Sequence, residues 1–110
     1  DPTDARTLRN YADFLWAVRN DRDRAEEMYR RAIKTDPTDA RTPRNYADFL
    51  QTALQDYSRA EEMYLRAIKT DPADVRSLRN YADFLWTIRN DRDRAEEMYR
   101  KAVDADSDRG

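Results

Sequence analysis

The 110-residue sequence contains no cysteine and no histidine, and its one glycine is the last residue. Without cysteine there is no disulfide, no thiolate nucleophile and no cysteine-based zinc site. Without histidine the commonest acid–base group at neutral pH is missing. Without an internal glycine there is no glycine-rich loop to hold a phosphate. These absences argue against an enzyme and against a bound cofactor or metal ion, whereas the redox compartment stays open.

An excess of charge of one sign is also lacking, because 21 basic and 23 acidic residues give a formal net charge of −2. The balance predicts no nucleic-acid partner, and the absence of a polybasic tail or a long apolar run predicts no membrane association. No signal peptide is recognisable. Cytoplasm is therefore the default location. The chain begins at Asp1 and not at methionine, which suggests an excised fragment or a processed chain.

Charged residues make up 40% of the chain and apolar residues 39%. The charged share is well above the quarter or so that is usual in globular domains. Such a composition suits an elongated molecule with much surface for each residue. A disordered chain is the competing interpretation, but the regular spacing of the aromatic and aliphatic residues argues against it.

The dominant feature of the sequence is a repeat with a period of 35 residues. Asn-Tyr-Ala-Asp-Phe-Leu begins at positions 10, 45 and 80, and Ala-Glu-Glu-Met-Tyr begins at positions 25, 60 and 95. The chain therefore divides into three repeat units, at residues 1–35, 36–70 and 71–105, followed by a tail at residues 106–110 that we expect to fray.

Each repeat unit carries two amphipathic helical patterns, with apolar residues at i, i+3, i+4 and i+7. In the first unit these residues are Leu8, Tyr11, Ala12, Leu15 and Val18, with Phe14 widening the stripe, and then Ala25, Met28, Tyr29, Ala32 and Ile33. A single helix hairpin cannot bury such stripes, but a stack of three hairpins can.

A polar break at residues 20–23 separates the two helical patterns. Asn20 tolerates the left-handed conformation that closes a helix, and Asp21 or Asp23 can cap the next one. Pro37 ends the second helix, because proline removes a hydrogen-bond donor and disfavours helix in the residue before it.

These residues resemble the tetratricopeptide repeat over essentially the whole chain. Small residues occupy the positions where that family packs its helices closely, and the family's second-helix aromatic and terminal proline have counterparts. The matching residues are Ala12, Ala25, Ala32, Ala47, Ala60, Ala67, Ala82, Ala95, Ala102, Tyr29, Tyr64, Tyr99, Pro37 and Pro72. The resemblance implies an all-α fold, a right-handed α–α superhelix of three helix-turn-helix hairpins, and a non-catalytic protein-binding role.

Three departures from the family pattern affect the local structure. The repeat is one residue longer than the usual 34, and the family's turn glycine is replaced by Asn20, Gln55 and Asn90. Pro43 takes the place of a leucine, and because proline is tolerated in a first turn we expect that helix to begin near Thr42. Half-a-tetratricopeptide repeats of RNA-processing scaffolds remain an alternative, although their tryptophan and glutamate pattern is poorly matched.

The resemblance also implies that one face of each first helix lines a concave groove in which a peptide or protein ligand binds. The candidate groove residues are Arg6, Arg9, Asp13, Trp16, Arg41, Arg44, Asp48, Gln51, Arg76, Arg79, Asp83 and Trp86. Arginine can bind carboxylates through two hydrogen bonds, and tryptophan can anchor an apolar side chain.

Two alternatives to this groove stay open. Arg9 and Asp13 lie at i, i+4 and would neutralise each other along the helix, and Trp16 and Trp86 would pack against the next unit. Recognition of a carboxylate tail, as in the family's clamp-type members, is disfavoured because aspartates stand where those members use asparagine. Glu26 with its neighbour at position 27 is interpreted as a solvated face.

Self-association is the second functional hypothesis. The last helix has no following unit to cover it, and we expect its outer face and that of the first helix, around Leu8 and Phe14, to be incompletely buried. Complementary open ends can join head to tail. The near-identity of the units fits a natural duplicated array and also an engineered array without an evolved ligand.

Overall fold

The computed structural model describes residues 4–109, and all regular secondary structure in that range is helical. Six helices follow one another along the chain and pair into three hairpins. They are α1 (Ala5–Ala17), α2 (Arg22–Thr35), α3 (Arg41–Thr52), α4 (Tyr57–Thr70), α5 (Val75–Thr87) and α6 (Arg92–Arg109). The α1–α2, α3–α4 and α5–α6 hairpins stack in chain order, which confirms the predicted all-α superhelical fold.

The turn inside each hairpin depends on one residue in the left-handed region. Asn20, Gln55 and Asn90 all have φ of 54°, at the positions where the sequence lacks the family's glycine. The next residue then caps the following helix: the Asp21 carboxylate accepts a hydrogen bond of 3.2 Å from the Arg24 backbone N–H, and Asp56 has the same role in the second hairpin. The first of the two proposed caps, Asp21, is therefore the one used.

Proline residues mark the helix ends as predicted. The second helix of each of the first two hairpins stops two residues before a proline, at Thr35 and at Thr70. Helix α3 begins at Arg41, so Pro43 lies in its first turn. A proline is tolerated there because the first N–H groups of a helix have no partner within the helix.

The predicted fraying of residues 106–110 is wrong for the part of this tail that the structure describes. Helix α6 continues to Arg109, beyond the point where α2 and α4 end; Gly110 lies outside the described residues. The reason is local, because Ser107 stands where the first two units have Pro37 and Pro72, and serine leaves the helical hydrogen bond in place.

Alanines and aromatic rings form the core. The fully buried alanines, which let the helices approach closely, are Ala12, Ala25, Ala32, Ala47, Ala60, Ala67 and Ala82. Aromatic rings then fill the junctions between hairpins: the ring centroids of Tyr29 and Tyr46 lie 5.3 Å apart, and those of Tyr64 and Tyr81 lie 5.9 Å apart.

Burial at the ends of the stack matches the expectation in part. Phe14 is 43% exposed, and Val103 on α6 is exposed as well, as predicted. Leu8 is only 4% exposed, so its expected exposure is wrong, because Leu8 belongs to the core cluster that α1 forms with α2 and α3. Tyr11 and Val18, assigned to the buried stripe, are exposed.

Replacing Gln55 by glycine is expected to stabilise the protein. A left-handed conformation costs a non-glycine residue about 1 kcal/mol, and asparagine tolerates it better than glutamine does. Gln55→Gly should therefore raise the free energy of unfolding, measured by urea titration, by more than the matched change Asn20→Gly. An equal or larger gain from Asn20→Gly would contradict this account of the turn.

Ser107→Pro is expected to end α6 near Ala105. Proline at this position disfavours helix in the residue before it and breaks one helical hydrogen bond. The helical backbone chemical shifts of residues 105–109 should be lost, while those of α5 stay unchanged. Helical shifts that persist through residue 108 in the variant would show that the missing proline is not what extends the helix.

Candidate interaction site

Two of the candidate groove arginines join neighbouring hairpins. The Nη1 atom of Arg9 lies 2.9 Å from Oδ2 of Asp39, and that of Arg44 lies 3.0 Å from Oδ2 of Asp74. Both arginines are buried. The interpretation that Arg9 pairs with Asp13 along α1 is thus wrong: the carboxylate that it contacts lies 30 residues away, just before α3.

A tyrosine from the second helix of each hairpin donates a hydrogen bond to the groove aspartate of the same hairpin. The Tyr29 hydroxyl donates to Asp13, and the Tyr64 hydroxyl donates to Asp48 over 2.7 Å. Asp13 also accepts a hydrogen bond of 3.1 Å from the Asn45 side chain of the next hairpin. These two carboxylates are therefore recessed and already bonded.

Burial raises the pKa of the two recessed groove aspartates. Desolvation raises the pKa of Asp13 above its usual range, although the hydrogen bonds from Tyr29 and Asn45 oppose it. Desolvation likewise raises the pKa of Asp48, against the hydrogen bond from Tyr64. At the end of the stack, the hydrogen bond to the Asp83 carboxylate raises the pKa of Tyr99 to about 12.

The two tryptophans have different surroundings. The Trp16 ring lies edge-on to Phe49 of the second hairpin, 5.8 Å between centroids, and its Nε1 donates a hydrogen bond of 2.9 Å to the Tyr29 hydroxyl. Trp86 lies on the third hairpin and is 48% exposed, with the guanidinium of Arg92 5.5 Å from its ring centroid. The packed alternative therefore applies to Trp16, and the exposed one to Trp86.

The remaining groove candidates differ in their exposure and in their contacts with other side chains. Gln51 lies 2.9 Å from the Tyr64 hydroxyl, and Arg41 lies 3.1 Å from Asp39. Arg6, Arg76, Arg79 and Asp83 are exposed. Within residues 4–109, no side chain forms an ion pair with Arg79. Most groove candidates of the first two hairpins are thus bonded to other side chains, apart from the exposed Arg6. In the third hairpin Asp83 accepts a hydrogen bond from Tyr99, while Arg76, Arg79 and Trp86 are exposed.

Sequence reasoning missed the role of the first glutamate in each Glu-Glu pair. Glu26 accepts hydrogen bonds from the Tyr46 hydroxyl, over 2.6 Å, and from Arg59, both on the second hairpin. Glu61 accepts in the same way from Tyr81 of the third hairpin. The interpretation of Glu26 as a solvated face is wrong. The missed signal was the tyrosine that recurs 20 residues after each of these glutamates.

Surface depressions lie away from the centre of the predicted groove. One of about 350 Å³ lies on α2 and is lined by Asp23, Glu26, Glu27, Arg30, Arg31 and Lys34. Another, of about 540 Å³, lies between the starts of α1 and α3 and contains the groove candidates Arg6 and Arg41 together with Asp4, Asp36 and Asp39. Its mixed charges give it no preference for an anionic or a cationic ligand.

Across the described part of the chain, no cluster of three or more potential metal-ligating side chains is found. In the same part, every helix is too short or too polar to cross a bilayer.

A stack of helix hairpins in which the same ion pair and the same aromatic contacts recur at successive junctions defines a helical repeat protein. Two family models match the sequence, one described as "TmcB, TPR repeats" over residues 55–110 and one as "Tetratricopeptide repeat" over residues 7–41. The first covers half of the chain, so the chain belongs to the tetratricopeptide repeat family. Members of this family are typically non-catalytic scaffolds that mediate protein–protein interactions.

The crystal structure of MamA is similar to this chain, with a TM-score of 0.82 and 17% sequence identity. The similarity covers 99% of this chain and 62% of the MamA chain, so the chain spans less than two thirds of MamA. At this identity the similarity shows the fold alone. A search of curated proteins found no match.

Asp48→Asn is expected to stabilise the protein at neutral pH. A carboxyl group whose pKa is raised in the folded state stabilises the protein at a pH below its unfolded-state pKa. This stabilisation is lost as the pH rises through the folded-state pKa. The stability advantage of the variant should therefore be largest at pH 7 and shrink on acidification, as measured by urea unfolding. Asp83→Asn at the exposed end is the matched control, and an equal advantage there would contradict the role of burial.

Proposed function

We propose that the chain is a protein-interaction scaffold that binds its partner through the outer side of the third hairpin. We call this the C-terminal end surface; it consists of Arg79, Asp83 and Trp86 on α5 and Glu96, Tyr99 and Val103 on α6. The observation that carries the proposal is that these side chains are exposed, while the counterparts of Arg79, Glu96 and Tyr99 in the first two hairpins contact the next hairpin.

The comparison with the internal junctions defines this difference. Arg9 and Arg44 are buried against an aspartate of the next hairpin, whereas Arg79 has no such partner among residues 4–109. Tyr29 is fully buried, whereas its counterpart Tyr99 is 37% exposed. Exposed aromatic rings beside an unpaired arginine have the composition of an interface hot spot.

The internal junctions also indicate the chemistry of the partner. At each junction the covering element is a helix with an aspartate at its start and a phenylalanine ten residues later, Asp39 with Phe49 and Asp74 with Phe84. The aspartate meets the arginine and the phenylalanine meets the aromatic rings. An amphipathic helix with these two residues therefore fits the C-terminal end surface.

The groove candidates of the first two hairpins remain a separate prediction. Arg6, Arg41 and Gln51 belong to the predicted groove, which is lined by one face of the first helix of each hairpin. A ligand that runs along this face would contact them. Arg9 and Arg44 are unsuited to this role, because a ligand would have to break their buried ion pairs. Loss of one partner from such a pair costs about 3–5 kcal/mol.

The test uses Trp86 as a reporter of binding. Trp16→Phe leaves Trp86 as the only tryptophan of the chain. A hydrocarbon-stapled helical peptide with the sequence of residues 39–50 is titrated in, and the fluorescence of Trp86 is recorded. We expect a saturable change, and we expect Arg79→Ala to weaken binding about tenfold, as for the loss of a hydrogen bond to a charged group.

The control peptide carries lysine in place of Asp39 and alanine in place of Phe49. Equal binding of the two peptides, or equal binding to the Arg79→Ala variant, would contradict the proposed site. A peptide that leaves the Trp86 signal unchanged but shifts the amide resonances of Arg6, Arg41 and Gln51 would move the binding site to the first-helix face.

A further inference from the structure

We infer that the partner of the C-terminal end surface is a second copy of this chain, which docks through the outer side of its first hairpin. This inference rests on the proposed function and names its ligand. We call the docking side the N-terminal end surface; it consists of Asp4, Asn10, Tyr11, Phe14 and Arg24. The two internal junctions serve as templates. The sequence repeats every 35 residues, so most residues of the two end surfaces are of the same type as the residues that meet at an internal junction.

The charged pair of the internal junctions can form again between two copies. Arg9 contacts Asp39 and Arg44 contacts Asp74, and each pair is 30 residues apart. By the same repeat, the next pair joins Arg79 to the aspartate at the fourth position of a further unit, which in a second copy is Asp4. Residue 109, the counterpart of Asp39 and Asp74, is an arginine, so the described repeats supply no equivalent carboxylate for Arg79, whereas Asp4 of a second copy would supply one.

The aromatic contacts repeat in the same way. Tyr29 packs on Phe49, and Tyr64 on Phe84, each pair with ring centroids 5.5 Å apart. The corresponding contact between two copies joins Tyr99 of one to Phe14 of the other. Most of the large apolar side chains exposed in the described range lie on the first or third hairpin: Tyr11, Phe14, Val18, Trp86, Tyr99 and Val103, with Leu65 the exception.

A third set of contacts would fix how one copy is aligned on the next. Glu26 accepts hydrogen bonds from Tyr46 and Arg59 of the next hairpin. The equivalent glutamate of the third hairpin, Glu96, is exposed, and within the described residues its ion pair is with Arg100, one turn along α6. In a second copy, Tyr11 and Arg24 are the counterparts of Tyr46 and Arg59, and they would meet Glu96.

The N-terminal end surface already has the geometry of a covered junction. Arg24 donates a hydrogen bond of 2.6 Å to the Tyr11 hydroxyl, and its guanidinium lies 5.8 Å from the ring centroid. The corresponding values for Arg94 and Tyr81, at a covered junction, are also 2.6 Å and 5.8 Å. Docking therefore needs little rearrangement, and a preorganised surface loses less free energy on binding.

One feature of the C-terminal end has no counterpart at the internal junctions. Helix α6 runs on through residues 106–109, where the first two hairpins turn away at Asp-Pro. Because Ser107→Pro is expected to remove this additional turn, the variant should associate at least as strongly as the unsubstituted chain. Weaker association would contradict docking in the geometry of the internal junctions, which lack this turn.

Contact between unlike ends leaves one free end on each side, so it produces chains of increasing length and not a closed dimer. The experiment is sedimentation velocity over a wide concentration range. The average mass is expected to start at 13.1 kDa and to rise past that of two chains. A constant mass of 13.1 kDa up to millimolar concentration, or a plateau at two chains, would overturn the inference.

Two variants that each block one end give the sharper test. Phe14→Glu blocks the N-terminal end surface and Trp86→Glu blocks the C-terminal one, so each is expected to associate at least about tenfold more weakly than the unsubstituted chain. A mixture of the two variants retains one intact pair of ends and is expected to stop at the mass of two chains. A mixture that stays monomeric would refute head-to-tail docking.

The matched control is Leu65→Glu, because Leu65 is 47% exposed but lies on the middle hairpin. This variant is expected to associate like the unsubstituted chain. Circular dichroism checks that each variant is folded, and Glu96→Lys, at an exposed position, provides a second block of the C-terminal end surface if Trp86→Glu unfolds the protein. Peptide binding to Trp86 without self-association would leave the proposed function standing and refute the second copy as its partner.

Discussion

The stack depends on the tyrosine that each of the first two hairpins inserts into its junction with the next. The ring of Tyr29 is fully buried and packs on Tyr46 and Phe49 of the second hairpin, while its hydroxyl donates to Asp13 in its own hairpin. One side chain therefore joins the two helices of a hairpin and also joins two hairpins. A tyrosine suits this position because its apolar ring can be buried while its hydroxyl keeps a hydrogen-bond partner.

Charged residues give the stack its register. An alanine and aromatic interface alone would tolerate sliding of one hairpin over the next, but the buried guanidinium of Arg9 must meet Asp39, and that of Arg44 must meet Asp74. A register without these partners leaves a buried charge unpaired, which costs several kcal/mol. This requirement explains how a chain with 40% charged residues and almost no net charge folds as an ordered stack.

The sequence was sufficient to predict the fold and the turns, because both depend on local and periodic patterns. The period of 35 residues, the left-handed Asn20 and the position of Pro43 in a first turn follow from residue types and spacing. The partners of Arg9 and Glu26 did not follow, because helical spacing favours a neighbour four residues away and contains no information on carboxylates of another hairpin. The exposure of Tyr11 differs from that of Tyr46 although their local sequences agree, because burial depends on what lies beyond the hairpin.

The middle hairpin has a neighbour on both sides, and within the described residues no helix of the first hairpin contacts a helix of the third. The folding free energy of such an array is a sum of terms for each hairpin and for each junction between nearest neighbours. Opening an outer hairpin breaks one junction, whereas opening the middle one breaks two. The backbone amides of α3 and α4 are therefore the ones whose exchange with solvent reports on global unfolding, while those of the outer helices report on the opening of a single hairpin.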